Sequence, residues 1–263
     1  MRPKQITYSF RSVSAIFWAL ALLSIVGFWY GWDETDRPTP EVLARGKSLF
    51  HSSCAPCHGK HGKGDGSIAA NLDIRPRDLS RGVYENRSTM SGQLPTKADL
   101  FKTLSEGIHN TAMPHFRGLR PEDRIAVVEY IRTLSPRFAD PDEYPLDVLA
   151  ASAAPEVTQR SLMQGRKIYV DMKCGDCHGA TGKGEGEIVT KQVDEHGEPV
   201  ATPDLTDPAS YEFSRTPHDL YRIFSTGLDG SPMPSYFATI SEQDRWHLAN
   251  YVWSLREGTW APQ

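Results

Sequence analysis

The chain has 263 residues, a formal net charge of −4 and 39% hydrophobic residues, enough for one large folded domain or two small ones. Its acidic balance argues against nucleic acid as a partner, because that affinity comes from Lys and Arg contacts to phosphate. Only four cysteines are present, Cys54, Cys57, Cys174 and Cys177, and all sit in two short motifs, which leaves none for a disulfide-stapled fold.

The first expected element is a membrane span. Residues 12–32, SVSAIFWALALLSIVGFWYGW, carry no charge, and at about 1.5 Å per residue such a helix matches a hydrocarbon core of roughly 30 Å. Arg2, Lys4 and Arg11 precede the stretch, and Asp33, Glu34 and Asp36 follow it. The positive-inside rule therefore keeps the N-terminus cytoplasmic and exports the rest. Trp29, Tyr30 and Trp32 suit the outer interface. A cleaved signal peptide fits less well, since the stretch is long for a signal core and no A-x-A site closes it. Residues 1–32 are thus read as cytoplasmic N-terminus and lipid-embedded anchor, and 33–38 as a link.

Beyond the link the chain repeats itself at a period of about 120 residues. In the first copy, residues 39–135, Thr39 and Pro40 predict a helix start, followed by apolar Val42, Leu43, Leu49 and Phe50. The motif CAPCH then spans Cys54 to His58, with glycines at 59, 62, 64 and 66. A second helix is expected from Thr96, with Asp99 closing a capping box and Gly107 stopping it. Met113-Pro114 follows, and a last helix runs over about Pro121 to Leu134 with Ile125, Val128 and Ile131 or Leu134 inward.

Residues 136–157 are Pro-rich and read as a connector laid over the domain surfaces. The second copy, 158–263, restates each feature. A helix is expected from Thr158 with Leu162, Ile168 and Tyr169 apolar, then CGDCH from Cys174 to His178 with glycines at 179, 182, 184 and 186. Thr216 and Asp219 repeat the capping box, Gly227 the stop, and Met233-Pro234 the dipeptide. The last helix begins at Ser241 and reaches about Arg256, with Trp246, Ala249, Val252 and Trp253 at helical spacing. Both copies read as all-α.

C-x-x-C-H is the attachment signature of c-type haem: two thiols form thioethers with the vinyl groups and the adjacent histidine ligates iron. Zinc would want four ligands and would consume both motifs for one metal. A thioredoxin-like redox pair needs a strand–helix context that neither copy has. Two motifs therefore imply two covalently bound haem c groups. For the sixth ligand, Met113 follows His58 by 55 residues and Met233 follows His178 by the same interval. Met–His ligation belongs to electron-transfer cytochromes. The metal ligands are expected to be His58, Met113, His178 and Met233, with Cys54, Cys57, Cys174 and Cys177 as the covalent anchors and no catalytic residue. Met90, Met163 and Met172 are assigned to packing. His51, His61, His109, His115, His196, His218 and His247 are assigned to the solvated surface, His115 being the competing ligand closest to Met113.

These elements resemble the class I cytochrome c domain, and the whole chain resembles membrane-anchored diheme cytochromes c of bacteria. The likeness rests on the helix ahead of each motif, CAPCHG and CGDCHG, GKGDG and GKGEG, AMP and PMP, and the aromatic-bearing last helix. It implies that first and last helices cross, with Gly46 and Phe50 meeting Tyr130, and Gly165 and Tyr169 meeting Tyr251. It also implies that PRDL at Pro76 and TPDL at Thr202 form a loop on the histidine side of the haem. Two departures stand out: one extra residue between Tyr169 and Cys174, expected to shift the second crossing, and a long polar stretch from Glu187 to Pro203, expected to be a surface loop.

The resemblance places the haem domains on the periplasmic side of the bacterial cytoplasmic membrane, as a single-pass protein. It implies a respiratory electron carrier, not an enzyme, with a membrane-bound or periplasmic oxidoreductase and a soluble carrier as partners. The layout is similar to the diheme subunit of cbb-type oxidases and to cytochromes that accompany molybdenum enzymes. The alternative is a diheme enzyme such as a peroxidase or thiosulfate dehydrogenase, which needs an exchangeable ligand that neither copy supplies. A sensor would require an output module.

Overall fold

The computed structural model describes residues 33, 37–144, 146–150, 152–188, 193, 197 and 202–260. The anchor expected at 12–32 lies outside these, as does most of the 187–203 stretch. Among the described residues no helix is long and apolar enough to cross a membrane. By its contacts the chain divides into Met1–Arg37 and Pro38–Gln263, and both C-x-x-C-H motifs belong to the second unit.

That unit is built of helices: α1 Pro40–Ser53, α2 Ala55–His58, α3 Lys97–Glu106, α4 Pro121–Arg132, α5 Gln159–Asp171, α6 Gly175–His178, α7 Pro217–Thr226 and α8 Glu242–Arg256. Among the described residues the only extended pairing assigned to both partners is a lone antiparallel bridge of Thr89 with Val148. The caps fall where local chemistry puts them. Thr39 and Thr158 cap α1 and α5 through their hydroxyls. Thr96 with Asp99, and Thr216 with Asp219, form complete capping boxes on α3 and α7. Gly107 and Gly227 end those helices at φ 71° and 68°, a region that favours glycine.

The helix crossing is the shared skeleton. A Cβ on Gly46 would lie 1.9 Å from the Ala126 carbonyl oxygen, and one on Gly165 would lie 2.1 Å from that of His247. Only glycine lets α1 approach α4, and α5 approach α8, that closely. Phe50 then meets Tyr130 with ring centroids 5.3 Å apart, and Tyr169 meets Tyr251 at 5.6 Å. The extra residue of the second copy does not shift this contact. It is absorbed at Lys173, at φ 56°, and the Cys174 N–H reaches back to the Tyr169 carbonyl at 3.0 Å, as the Cys54 N–H does to Phe50 at 2.8 Å.

Each copy keeps its own apolar core. One gathers Phe50, Leu79, Leu94, Leu100, Leu104, Val127 and Val128. The other gathers Ile168, Tyr169, Leu220, Tyr221, Phe224, Trp246 and Leu248. Burying each such aliphatic or aromatic side chain contributes about 1.5–3 kcal/mol. The α4 face differs from expectation: Ile125 and Ile131 are only partly buried, whereas Asp123, Glu129 and Arg132 are buried. Met163 is 59% exposed and does not pack in a core.

The connector is tied down along its length. Phe138 is buried in the first core, Tyr144 and Leu146 pack on it, and Leu149 packs on the second core. Arg137 bonds the carbonyls of Gly82 and Gly92 and pairs with Glu143. Where the copies meet, the contact is polar. Arg87, fully buried, donates to the Thr226 carbonyl at 2.7 Å and pairs with Asp229 at 2.8 Å. Arg222 donates to the Arg87 carbonyl, and Ser91 and Gly92 donate to Asp229.

Candidate haem sites

A single helical turn assembles the covalent half of each site. The N–H groups of Cys57 and His58 both point to the Cys54 carbonyl, at 3.1 and 2.9 Å. Positions i, i+3 and i+4 share a helix face, so both thiols and the imidazole come to one side. The second motif repeats this, with Cys177 and His178 on the Cys174 carbonyl at 3.3 and 2.9 Å. The glycine loop folds back beneath the turn: Gly64 bonds His58 and Gly66 bonds Cys57, matched by Gly184 to His178 and Gly186 to Cys177.

The methionine loops match equally well. Ile108 donates to the Met113 carbonyl at 3.1 Å, and Leu228 to that of Met233 at 3.1 Å. The Met113 N–H is held by Thr111 Oγ1, and the Met233 N–H by Ser231 Oγ. Cys54, Cys57, His58 and Met113 all line one cleft, closed by Phe50, Leu79, Leu100, Leu104, Pro114 and Phe116, with an empty volume of about 1250 Å³ that includes its open mouth. In the second copy Cys174 and Met233 pack against the same core, and the Tyr236 hydroxyl, with its pKa raised chiefly by burial, feels both Cys174 and Cys177.

The donor set fits a haem. Burial lowers the pKa of His58 and His178, opposed by the backbone carbonyls of Arg77 and Pro203 respectively. Desolvation, the larger effect, favours the neutral imidazole, the form that binds iron. In each ring Nδ1 is a buried atom that makes no hydrogen bond of normal geometry. An imidazole whose other nitrogen faces a backbone carbonyl is the usual support for a metal ligand. The loops expected on the histidine side are thus there. Burial pushes the Cys54 and Cys174 thiols up to about 11, opposite to the lowered pKa of a redox-active pair.

The remaining histidines divide. His51, His61, His109 and His115 are exposed, and His115 is absent from the cleft lining that holds Met113. His247 and His218 are not simply solvated: His247 Nδ1 lies 2.9 Å from Ser161 Oγ, and His218 packs edge-on against Trp246 at 4.9 Å. His196 is outside the described residues. Sequence reasoning also missed Glu212 and Phe213, which reach the first cleft from the second copy. Their signal was the match of YEF at Tyr211 to YEN at Tyr84.

The family profile described as cytochrome c matches residues 43–135 and again 162–256. The chain belongs to the cytochrome c family. It is a tandem diheme cytochrome of two all-helical domains, as the resemblance implied, and family membership implies covalent haem c. Among curated relatives, this cytochrome is 25% identical over 218 residues to the Cbb3-type cytochrome c oxidase subunit FixP of Bradyrhizobium diazoefficiens, covering 82% of this chain and 61% of that protein. It is 25% identical over 230 residues to the Cbb3-type cytochrome c oxidase subunit CcoP of an Azospirillum species, covering 82% and 63%. It therefore spans about three-fifths of these relatives' length. Among solved structures, a chain of the reducing HAO-like protein complex of Kuenenia stuttgartiensis superposes with a TM-score of 0.76 at 35% identity, covering 80% of this cytochrome and 95% of that chain.

Proposed function

We propose that this cytochrome is a membrane-tethered carrier of single electrons at the outer face of the bacterial cytoplasmic membrane, acting as a subunit of, or shuttle for, a respiratory complex. The observation that carries the reading is the doubled site. Each domain presents a C-x-x-C-H turn, a half-buried histidine whose desolvation favours the neutral ring, and a methionine held by matching hydrogen bonds. In this reading residues 39–135 and 158–263 each bind one haem c, through Cys54, Cys57, His58 and Met113 and through Cys174, Cys177, His178 and Met233. When bound, the group supplies a one-electron iron couple whose potential methionine ligation raises.

The chain's own residues then hold, shield and tether. Phe50, Leu100, Leu104 and Phe116 exclude water from the first cleft, and the carbonyls of Arg77 and Pro203 orient the imidazoles. Residues 12–32 serve as the anchor, which raises the local concentration near a membrane partner. The likeness to oxidase subunits and to a chain of a reducing HAO-like protein complex supports a membrane-bound or periplasmic oxidoreductase as one partner; a soluble carrier is the other in this reading.

If His58 and Met113, and likewise His178 and Met233, both held the iron, neither haem would keep a coordination place for substrate. The ferrous protein exposed to carbon monoxide should keep its spectrum. A lasting adduct in either domain would instead support the diheme enzyme, of peroxidase or thiosulfate dehydrogenase type.

A further inference from the structure

The wall of the first cleft is not made by the first domain alone. Glu212 and Phe213, from the loop ahead of α7, line it beside Arg75, Arg77 and Glu85. Glu212 follows Tyr211 as Glu85 follows Tyr84, and both tyrosines are buried. Packing of the two repeats thus brings equivalent carboxylates within electrostatic reach of each other across the domain boundary.

Their surroundings differ. Glu85 is ion-paired with Arg77 at 2.7 Å. Glu212 feels Arg77 and Glu85 only through space, and burial followed by Glu85 pushes its carboxyl up to about 7, with Arg77 opposing. The other charges around this boundary are Arg75 in the cleft wall, the Arg87–Asp229 pair, and Arg256, whose guanidinium lies 5.4 Å over the Tyr211 ring.

We propose that Glu212 is a proton-accepting group coupled to the redox centre of the first domain. When one electron enters that cleft from a one-electron donor, one proton from solvent binds the Glu212 carboxylate, and both depart on reoxidation. The added negative charge favours the neutral carboxyl. Glu212 comes from the second domain, so the proton linkage exists only while the two domains are docked. The inference rests on the reading that the first cleft holds a haem.

The test is a potentiometric titration of the intact, two-haem protein from pH 5 to 9. One midpoint should fall as pH rises through about 7. Each tenfold difference in proton affinity between oxidised and reduced states corresponds to 59 mV for one electron. Glu212→Gln, which keeps the shape and removes the proton, should make that midpoint independent of pH and abolish a carboxyl band in the reduced-minus-oxidised infrared spectrum. Glu85→Gln should keep the slope but centre it at lower pH, since a repelling charge is gone. A slope and band that persist in Glu212→Gln would overturn the proposal while leaving the haem reading intact. Fewer than two covalent haems per chain would overturn both.

Discussion

In the first domain the last helix is held by charge: Glu129 of α4 takes Lys97 at 3.0 Å and Arg132 at 3.0 Å, and Arg132 donates to the Tyr144 hydroxyl at 3.2 Å. In the second domain the equivalent positions on α8 are Asn250 and Trp253, and side-chain hydrogen bonds take the place of the ion pairs. Asn250 donates to Ser161 Oγ at 3.0 Å, and Ser161 meets His247 at 2.9 Å. Arg124 over Phe101 is matched by Arg245 over Tyr221, and Tyr221 also stacks on Trp246 at 4.3 Å, where the first domain has Ile125. The glycine crossing and its aromatic partner are common to both. The fold thus demands the close helix approach and the haem-binding turns, while the surrounding fastening is open to either chemistry.

The two fastenings should fail differently. Glu129→Ala leaves Lys97 and Arg132 buried without their shared carboxylate, and breaking a buried pair costs about 3–5 kcal/mol. Asn250→Ala removes one neutral hydrogen bond, at about 0.5–1.5 kcal/mol. Denaturant titration of each variant, followed at each domain's Soret signal, should show the first loss to be the larger; equal losses would erase the distinction.

The domain boundary comes next in size. Arg87→Ala strips four partners, the carbonyls of Tyr84, Met90 and Thr226 and the Asp229 carboxylate. Asp229 keeps solvent access, so about 1–3 kcal/mol is expected, chiefly for leaving buried carbonyls unmet. Calorimetry should resolve two transitions in this variant. A single unbroken transition would mean that the connector, not Arg87, holds the halves together.

The smallest effect is a pH dependence. Hydrogen bonds from Arg45 and then Arg120 hold the Asp123 carboxyl well below the usual carboxylate range. Its folded pKa is lower than the unfolded value near 3.8. The stabilisation is therefore full above that pH and fades as pH falls through the folded pKa. Asp244, its counterpart, meets the neutral Gln164 amide. Asp123→Asn should reduce the acid sensitivity of the first domain below about pH 4 and leave the second unchanged, and both arginines being solvent-exposed keeps the change small.

Much of this architecture was written locally. Thr39, Thr96, Thr158, Thr216 and Ser241 cap helices because a hydroxyl can reach an unpaired N–H two or three residues on. The 120-residue repeat aligned the binding turns and the methionine loops without any long-range information. What escaped was set by tertiary packing. Lys97, Glu129 and Arg132 look like surface charges in sequence, and only the fold brings Lys97 and the α4 pair together away from water. Arg87 carries no periodic signal because two of its partners, the Thr226 carbonyl and the Asp229 carboxylate, lie about 140 residues away in the other domain. Glu212 looked like part of an ordinary loop, since sequence says nothing of how the two copies dock.

The central claim is that each domain completes its own site with one histidine and one methionine. Near-infrared absorption of the ferric protein tests it directly, through the charge-transfer band of methionine-ligated haem. Met113→Ala and Met233→Ala should each remove about half of the band, and the double variant all of it. A band left at full strength by either single substitution would contradict the account.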